Sequence, residues 1–466
     1  MARPDTLGLW MNGVAVGTWS RTRSGSHRLQ YAAEWLASPL GRPLSLSLPL
    51  ASAWAPAGLT GDTVRAWFEN LLPENAASRA RLAAAHGVDP LDAMAMLGAL
   101  GRDCVGAIQL LPPGEVPAPP AITGRPLDEP ALAGVLRRAR ASTIGLPAPP
   151  PDDPEELRLS AAGMVDKTAL LRHAGQWWVP HGATPSTHLL KLPLGQIGPT
   201  GTAGGQRDFG TSVWNEWACL AWLREVGLDA AEADVVTATD DVGMETALAV
   251  TRFDRRWMPG TTSTPDGAWL RLPQEDGCQA FGLPPTAKYE KGGGPGIDRW
   301  CALLMASRAP IADVRTFVLA QLAYWLLAAI DGHAKNFSLR LEARGGFRLA
   351  PLYDVVSAWP AILPADARPW STHTIEQAMA FRTGNARPHA VWAEIQRYHV
   401  LRVAERYGGR ALVDACEALV ARADDAMRAV AAAAPSGMPP MVLERITTGV
   451  ARAVTRWNAT PATRLR

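Results

Sequence analysis

The first 113 residues alternate hydrophobic and polar positions in short runs, interrupted by two helical patterns. LGLWMNGVAVGTWS predicts a β-hairpin, because Asn12-Gly13 between alternating runs favours a tight turn. LQYAAEWLAS and LSLSLPLA predict further short strands, and helices are predicted over about 62–84 and 91–100. GRDCVGAIQLLPP predicts a closing strand. We therefore expect an N-terminal α/β subdomain over 1–113.

Two Pro-rich segments, PPGEVPAPPAITGRP and LPAPPPDDPEE, lie on either side of a helical pattern at 128–141. This composition is typical of exposed linkers and extended spacers, so 114–156 is interpreted as a linker with one short helix. Over 157–258 the pattern changes to short strands separated by Gly-rich turns, with one helix over 215–226. The remainder, 259–466, is mostly helical in pattern.

The helical region begins with an apolar run, VRTFVLAQLAYWLLAAI, which predicts a buried helix. A hairpin-like turn is predicted at 344–346, and two or three amphipathic helices are predicted over 390–457. A β-rich part followed by a larger helical part is the order found in bilobal kinases. We predict an α+β fold that is bilobal and protein-kinase-like, with an N-terminal α/β subdomain and a mostly helical C-terminal lobe.

The composition narrows the class of protein. Of the 466 residues, 47% are hydrophobic, which excludes a chain disordered throughout. A net charge of +2 is too balanced for a protein that holds nucleic acid by its own basic surface. Five cysteines without a CxxC pair argue against zinc and disulfide frameworks and favour a reducing cytoplasm. No signal-peptide pattern and no apolar run of ~18 residues is present, so we expect no membrane association.

The segment AAIDGHAKNFSLRL (328–341) carries the clearest candidate chemistry. Asp331 and Asn336 are five positions apart, the spacing of the catalytic Asp and the metal-binding Asn in protein kinases. A carboxylate there would orient or deprotonate an attacking hydroxyl, and the amide oxygen would hold Mg²⁺. Lys335 would neutralise the phosphate being transferred. The alternative is a polar turn between a helix and a strand, with Asp331 as a cap and His333 packed.

Two further segments agree with this interpretation. Asp354 in PLYDV lies 18 residues beyond Asn336, where a kinase has its second metal-binding aspartate; alone, it would be a surface residue after a strand. Lys191 in STHLLKLP interrupts an apolar strand, where a lysine is costly unless paired. It is a candidate for contacting nucleotide phosphates, with Glu216 as its partner. The alternatives are a lysine that reaches solvent from an edge strand and an exposed helix glutamate.

Weaker signals lie in three loops. In LSAAGMVDKTALL (159–171) the Ala-Ala-Gly turn can aim backbone N–H groups at phosphates, but the Walker A and G-x-G-x-x-G spacings are absent and an ordinary hairpin is the alternative. AVTRFDRRW ends a strand, and the backbone groups of 251–253 would contact adenine there, as the hinge of a kinase does. The alternative is that Phe253 is a core residue. The long loop 271–296 mixes charged, aromatic and Gly-rich elements. Candidates there are Gln274, Glu275 and Asp276, which would orient the catalytic loop or the nucleotide, and Lys288-Tyr289-Glu290, which would face a protein substrate.

Taken in order, these segments resemble the HipA family, bacterial serine/threonine kinases that act as the toxin of a toxin–antitoxin pair. The resemblance covers nearly the whole chain and is more specific than any one motif. The matching segments are FENLLPE, GRDCVGAIQLLP, LSAAGMVDKTALL, STHLLKLP, NEWACLAWLREVGL, TRFDRR, PQEDGCQAFGLPPTAKYE, DGHAKNFS and APLYDV.

The resemblance implies ATP and Mg²⁺ as cofactors and assigns roles to individual residues. Asp331 would be the catalytic base, and Asn336 and Asp354 would bind Mg²⁺. Ser160 lies where family members have an autophosphorylated serine; that modification, about −1.5 to −2 in charge, is implied to expel the loop and switch the kinase off. The implied nucleotide-binding residues are Ser160, Ala161, Ala162, Gly163, Lys167, Lys191, Thr251, Phe253, His333, Lys335 and Asn336, with Glu216, Gln274 and Asp276 in support.

The chain departs from the family pattern in two places. Val165 and Asp166 replace Gln and Glu in the phosphate loop, and Thr251 stands where other members have Glu. The second change puts adenine contacts through that side chain in doubt, whereas backbone contacts would survive it.

The resemblance also implies two partners. One is a small DNA-binding antitoxin (HipB-like), through which DNA is contacted only indirectly; the near-neutral charge agrees with this. The other is a protein substrate, an aminoacyl-tRNA synthetase. Two other functions remain open: a non-catalytic co-repressor subunit that binds the antitoxin, and a kinase of small molecules. The presence of Asp331, Asn336, Asp354 and Lys191 argues against the co-repressor.

Overall fold

A computed structural model describes residues 5–50, 58–119, 121–141, 159–160, 167–197, 207–260, 267–363, 371–382 and 387–462. The chain divides into two units. Unit 1 comprises Met1–Leu192, Val236–Thr286 and Ser338–Phe347. Unit 2 comprises Pro193–Val235, Ala287–Phe337 and Arg348–Arg466.

The described strands and helices follow in chain order. The strands are β1 (Thr6–Met11), β2 (Val14–Arg21), β3 (His27–Tyr31), β4 (Leu59–Thr60), β5 (Asp103–Cys104), β6 (Ile108–Leu111), β7 (Gly124–Leu127), β8 (Leu159–Ser160), β9 (Lys167–His173), β10 (Gln176–Pro180), β11 (His188–Lys191), β12 (Gln196–Ile197), β13 (Arg207–Asp208), β14 (Ala233–Thr239), β15 (Met244–Thr251), β16 (Arg255–Met258), β17 (Ala268–Arg271), β18 (Gln274–Asp276), β19 (Ser338–Leu341), β20 (Phe347–Leu349), β21 (Glu376–Phe381) and β22 (His389–Val391). The helices are α1 (Ala33–Ala37), α2 (Asp62–Glu69), α3 (Ala76–His86), α4 (Ala93–Leu100), α5 (Glu129–Ala141), α6 (Ser212–Glu225), α7 (Gly277–Ala280), α8 (Ile297–Leu304), α9 (Pro310–Leu327), α10 (Trp359–Ile362), α11 (Arg397–Ala432) and α12 (Pro440–Ala459).

The N-terminal sheet of unit 1 has the strand order β4-β3-β2-β1-β6. The predicted hairpin is confirmed: Asn12 and Gly13 have φ of 47° and 83°, the left-handed values that a two-residue type I′ turn needs. One face of the sheet is covered by α2, whose Phe68 ring stacks on Trp19 with centroids 3.9 Å apart. The closing strand predicted in 101–113 is confirmed as β6.

Three predictions for this region are wrong. Only the start of LQYAAEWLAS belongs to a strand, β3, because Ala33–Ala37 forms the helix α1 with Trp35 buried. LSLSLPLA is not a strand in its described part, 44–50; instead, Leu46 N donates to the Glu275 carboxylate at 2.9 Å. Such long-range bonds satisfy the backbone without a strand partner. The helix expected over 62–84 is two helices, because the chain turns after α2 and Asn75 caps the start of α3 through its side chain.

The second sheet of unit 1 has the strand order β14-β15-β11-β9-β10-β7. The predicted strand at Lys191 is β11, which pairs antiparallel with both β9 and β15. The predicted short helix is confirmed as α5, and its buried Leu132 and Leu136 share one apolar core with Leu170 and Leu190 of the sheet. Burial of this stripe provides the main stabilisation for a helix of that length.

Unit 2 is mainly helical, as the apolar and amphipathic runs predict. The buried helix is confirmed as α9, and the amphipathic C-terminal segment forms α11 and α12. Tryptophans fill the centre: the Trp325 and Trp392 rings stack at 5.1 Å, and Trp359 meets Trp392 edge-on at 5.2 Å. Gly449 of α12 lies against the Trp359 ring so closely that a Cβ would collide with it. Within the described part of the chain, none of the helices combines the length and apolarity needed to cross a bilayer.

Candidate active site

The candidate catalytic loop begins where α9 ends. Ala328 adopts a left-handed conformation with φ of 47°, which turns the chain out of the buried helix. The loop is then tightened by short backbone bonds: His333 N donates to Asp331 O at 2.7 Å, and Asn336 N donates to His333 O at 3.0 Å. Residues Ala334–Asn336 form a 3₁₀ turn that leads into β19.

The loop rests on the ring of Tyr324, a residue of α9. A Cβ at Gly332 would lie 2.5 Å from the nearest Tyr324 ring carbon, so the close approach requires glycine. Burial raises the pKa of the Tyr324 phenol, and the negative charge of Asp354 raises it further. This fully buried hydroxyl has no hydrogen-bond partner among the described residues.

Asp331 presents its carboxylate at the surface of unit 2, with 60% of the side chain exposed. Tyr289 Oη donates to Oδ1 across 2.5 Å, and His333 Nε2 lies 3.9 Å from Oδ2. This geometry differs from a helix cap, the alternative reading of the sequence, because the carboxylate is turned toward side chains.

Asn336 folds back on the same loop. Its Nδ2 donates to the backbone oxygen of Asp331 at 2.8 Å. The amide nitrogen is therefore used within the loop, and the side-chain oxygen is the atom left to meet a cation. Asn336 is 95% buried, with 5% of its surface exposed, so its orientation is closely fixed.

Asp354 follows β20 and has φ of 59°, a left-handed conformation that Asp and Asn tolerate better than other side-chain-bearing residues. The neighbouring Tyr353 donates its hydroxyl to Lys335 O at 2.8 Å and so connects the Asp354 segment to the catalytic loop. Lys335 and His333 are themselves buried, with 6% and 4% exposed.

Helix α6 binds the segment that follows Asp354 through hydrogen bonds to Ser357. Asn215 Nδ2 donates to Ser357 O at 2.8 Å, and Ser357 N donates to Asn215 Oδ1 at 2.9 Å. Ser357 Oγ in turn donates to Leu327 O at 2.6 Å, at the end of α9. The predicted Glu216 lies next to Asn215 and is 4% exposed, so it is not the exposed helix charge of the alternative reading.

In unit 1, two predicted lysines face each other. Lys191 at the end of β11 is directly opposite Lys167 at the start of β9, and Lys191 is 8% exposed. Side chains directly opposite in an antiparallel pair lie within about 4.5–5.5 Å at Cβ, and like charges in that arrangement repel. Lys191 is therefore not a solvent-directed lysine of an edge strand, since β11 is paired on both sides.

The predicted hinge segment carries a network of buried charged side chains. Arg252, Asp254 and Arg255 are buried. Asp254 forms ion pairs with the two arginines at 2.8 and 3.0 Å, and Asp103 pairs with them at 3.1 and 3.8 Å. The positive charges of Arg252 and Arg255 hold the pKa of the Asp254 carboxyl below its usual range, although burial opposes this. The segment thus ties the N-terminal residues of unit 1 to its second sheet.

Thr251 and Phe253 lie at the edge of this buried network. Thr251 Oγ1 is 3.3 Å from His188 Nε2, and the Arg340 guanidinium lies over the Phe253 ring at 5.5 Å. Phe253 is half-buried. Both therefore have contacts within unit 1.

The supporting residues of β18 are engaged in structural contacts. Gln274 Nε2 lies 3.4 Å from Asp254 Oδ2. Asp276 caps α7 through a capping box with Gln279. Between them Glu275 is completely buried, and burial raises the pKa of its carboxyl to about 8.

The phosphate loop is described only at its start. Ala161, Ala162, Gly163, Val165 and Asp166 lie outside the described residues. The backbone of Ser160 belongs to β8, which pairs in parallel with β5 so that Cys104 is opposite Ser160.

The sequence pattern does not predict the contacts of two residues of this site. Tyr289 was expected to face a protein substrate, yet its hydroxyl bonds to Asp331, 42 positions away. No role is predicted for Asn215, which is next to Glu216, and its partner Ser357 is 142 positions away. Only the presence of both residues within family-like segments could have pointed to them.

The fold and this loop define an α+β protein of the bilobal kinase-like class. A family model described as "HipA N-terminal domain" matches residues 7–111, and one described as "HipA-like C-terminal domain" matches 159–437. A Sinorhizobium fredii protein named "Putative kinase Y4mE" is 33% identical over 366 residues, which cover 77% of this chain and 79% of that protein. The chain belongs to the HipA family.

Two further relatives come from Shewanella oneidensis. Its "Serine/threonine-protein kinase toxin HipA" is 27% identical over 373 residues, covering 76% of each chain. A solved structure of the Shewanella HipA, HipB and operator DNA complex contains a chain that superposes with a TM-score of 0.75 at 23% identity, covering 97% of this chain and 98% of that one. This match confirms the predicted fold class.

Proposed function

We propose that this chain is an ATP- and Mg²⁺-dependent serine/threonine protein kinase that acts as the toxin of a toxin–antitoxin pair. The observation that carries the proposal is the geometry of the catalytic loop. Asp331 presents an exposed carboxylate, and Asn336 is locked back onto the backbone of the same residue. A simple polar turn has no need of this arrangement.

Asp331 acts as the general base. Its carboxylate accepts the proton of the acceptor hydroxyl while the hydroxyl oxygen bonds to the γ-phosphorus of ATP and ADP leaves. The exposure of the carboxylate lets an acceptor side chain from another protein reach it, which supports a protein substrate over a fully enclosed small molecule.

Asn336 and Asp354 would hold Mg²⁺. One amide oxygen and one carboxylate form an all-oxygen donor set, and Mg²⁺ commonly takes one or two protein ligands together with phosphate oxygens and waters. The donor chemistry fits, because the Asn336 nitrogen donates within the loop and the amide oxygen is a ligand type that Mg²⁺ takes. When bound, the cation neutralises charge on the transferred phosphoryl group. Lys335 and His333 would lie beside the same phosphates.

Lys191 and Lys167 would contact the ATP phosphates. The two residues lie at directly opposite positions of β9 and β11, and a polyphosphate would attract both positive charges. Ala161, Ala162 and Gly163 would add backbone N–H groups, and Thr251 and Phe253 would lie beside adenine, with Glu216, Gln274 and Asp276 in support. These assignments follow the family pattern.

Regulation and partners follow the same pattern. Ser160 would be autophosphorylated, and the added charge would oppose ATP in the phosphate loop. The Shewanella relative is named as a toxin and occurs in a complex with HipB and operator DNA, so we propose a HipB-like antitoxin partner that contacts DNA. The proposed substrate is an aminoacyl-tRNA synthetase, and the proposed location is the cytoplasm.

The intact mass of the purified protein tests the proposal, measured before and after incubation with Mg-ATP. Wild type should gain one phosphate, which peptide mapping should place at Ser160. Asp331→Asn should gain none while retaining its melting temperature, since the changed side chain is exposed. Ser160→Ala is the control that separates loss of the acceptor from loss of catalysis: it should still phosphorylate proteins of a cell extract.

Results that differ from these each favour a different function. No phosphate on any variant, together with no ATP-induced change in melting temperature, would favour the non-catalytic co-repressor. Transfer to small metabolites but not to proteins would favour a small-molecule kinase. For the toxin role, induced expression of wild type should slow growth, and expression of Asp331→Asn should not.

A further inference from the structure

The hydroxyl of Tyr289 lies against the carboxylate of Asp331, and neither the family pattern used above nor the proposed mechanism employs this contact. We propose that Tyr289 is a positioning residue, which holds one oxygen of Asp331 so that the other faces the acceptor hydroxyl. The inference rests on the proposed function, because it acts through the proposed base.

The contact has the geometry of a strong hydrogen bond. The Tyr289 Oη to Asp331 Oδ1 distance is 2.5 Å, at the short end of the range for a hydroxyl donating to an ionised carboxylate. A phenol hydroxyl donates one hydrogen bond and carries no formal charge. Tyr289 therefore orients the carboxylate without adding a charge to it.

The backbone around Tyr289 is held by hydrogen bonds on both sides. A fixed backbone supports a positioning role and argues against a movable gate. Lys288 O accepts from Ala334 N of the catalytic loop at 3.0 Å. On the other side, Glu290 accepts from Ala380 N at 2.7 Å and from Arg382 at 2.6 Å. Tyr289 is thus held between the catalytic loop and β21.

A close turn just after Tyr289 adds to this restraint. Gly292 N and Gly294 N both donate to Tyr289 O at 2.9 Å. A Cβ at Gly294 would lie 2.6–2.9 Å from three backbone oxygens of the segment. The backbone therefore bends back on itself at a place where only glycine fits.

The ring of Tyr289 is also fixed by its neighbours. The His333 ring meets it edge-on with centroids 5.0 Å apart, and Lys288 Nζ lies 5.4 Å from its centroid. Among the described residues, His333 and Lys288 are thus charged or titratable groups that face the Tyr289–Asp331 pair. With Oδ1 held by Tyr289, rotation of the carboxylate would break this bond, so Oδ2 remains directed at the acceptor.

The expected consequence is a loss of rate with little loss of binding. A misplacement of about 1 Å can cost a reaction about a hundredfold, so Tyr289→Phe should lower the maximal rate about 10- to 100-fold. The half-saturating concentration of ATP should stay within about twofold of wild type, because Tyr289 acts on the base. A merely structural role would lower stability and both kinetic parameters together.

The experiment measures ³²P transfer from Mg-[γ-³²P]ATP to the chain itself and to added dephosphorylated casein, over a range of ATP concentrations. Tyr407→Phe is the matched control, since it removes a tyrosine–aspartate bond of 2.7 Å to Asp298 in the same unit, outside the catalytic loop. Asp331→Asn is the inactive reference, whose residual transfer sets the background of the assay.

The outcomes separate the two proposals. Wild-type activity that survives Asp331→Asn, or is absent altogether, would overturn the proposed function and this inference with it. Activity that is lost in Asp331→Asn but unchanged or raised in Tyr289→Phe would overturn only the positioning role. Equal losses of rate and melting temperature in Tyr289→Phe and Tyr407→Phe would overturn it as well.

Discussion

Asn215 on α6 and Ser357, three residues beyond Asp354, bind each other through two reciprocal hydrogen bonds of 2.8 and 2.9 Å. The amide of Asn215 satisfies both backbone groups of Ser357, although the two residues are 142 positions apart. Ser357 also donates to the end of α9. One buried side chain thus fixes the segment that carries a proposed Mg²⁺ ligand relative to the helix that carries the catalytic loop.

Replacing this amide should destabilise unit 2 and weaken the metal site. Asn215→Ala leaves a buried N–H and a buried C=O without partners, at about 1–3 kcal/mol each. We expect a loss of about 2–6 kcal/mol in unfolding free energy and a higher Mg²⁺ requirement for phosphate transfer. Urea unfolding and Mg²⁺ titration measure the two effects.

Asn215→Asp is the matched variant, because it keeps the acceptor for Ser357 N and loses only the donor to Ser357 O. Its loss of stability should be smaller than that of Asn215→Ala. An Asn215→Ala protein with wild-type stability and wild-type Mg²⁺ dependence would show that this pair does not position Asp354.

Lys191 should contribute to nucleotide affinity through phosphate alone. Lys191→Met keeps the length of the side chain and removes the charge that faces Lys167 across the strands. We expect at least tenfold weaker binding of ATP and unchanged binding of adenosine, which has no phosphate. Isothermal titration with both ligands measures this difference.

The control is Lys291→Met, which removes an exposed lysine that pairs with Glu376 and should leave both affinities unchanged. If Lys191→Met weakened adenosine and ATP equally, the lysine would be supporting the sheet, and its assignment to phosphate would be wrong.

Local patterns predicted the elements of this fold much better than its contacts. The Asn12-Gly13 hairpin, α5, α9 and the two C-terminal helices follow from turn chemistry and periodicity within a few neighbouring residues. The segment 44–50 was misread, because its alternating leucines do not pair with another strand; its backbone bonds to Glu275, 229 positions away from Leu46. Periodicity carries no information about such partners.

The candidate site shows the same limit. The spacing of Asp331 and Asn336 predicted two residues that the structure does bring together, since both lie on one loop. The contacts of Tyr289 and Asn215 join segments far apart in the chain, so no spacing rule contains them. The buried Arg255 of the TRFDRR segment pairs with Asp103, about 150 positions earlier, and no local pattern predicts that partner.

The buried ion network should be essential for unit 1. Asp103 accepts from Ser186 and from Arg255 and lies 3.6 Å from Arg271. Asp103→Asn leaves the guanidinium groups with Asp254 as their buried carboxylate, and breaking a buried pair in this way costs about 3–5 kcal/mol. Thermal and urea unfolding should detect the loss.

Asp414→Asn provides the contrast, because it removes a pair with Arg410 whose two side chains are 56% and 85% exposed. That variant should unfold like wild type, since exposed pairs contribute little. Equally small effects of Asp103→Asn and Asp414→Asn would mean that solvent or a local rearrangement compensates the positive charge of the guanidinium groups that Asp103 contacts in unit 1.

Glu275 should make the stability of the protein depend on pH near neutrality. Burial raises the pKa of its carboxyl to about 8 in the folded chain, against 4.5 as the ordinary value. The folded state therefore keeps a proton that the unfolded state loses above pH 4.5. The stability contributed by the protonated group is fully present below pH 4.5 and is lost progressively as the pH rises to about 8, with an upper limit of about 5 kcal/mol.

Glu275→Gln tests this sign, because the amide resembles the protonated carboxyl in shape and carries no charge. The variant should lose less stability than wild type between pH 5 and 8, and near pH 8 it should be the more stable of the two. Urea unfolding at half-unit pH intervals measures both curves. Parallel curves would mean that Glu275 is ionised in the folded chain at neutral pH, with the backbone N–H of Leu46 and neighbouring donors stabilising its charge.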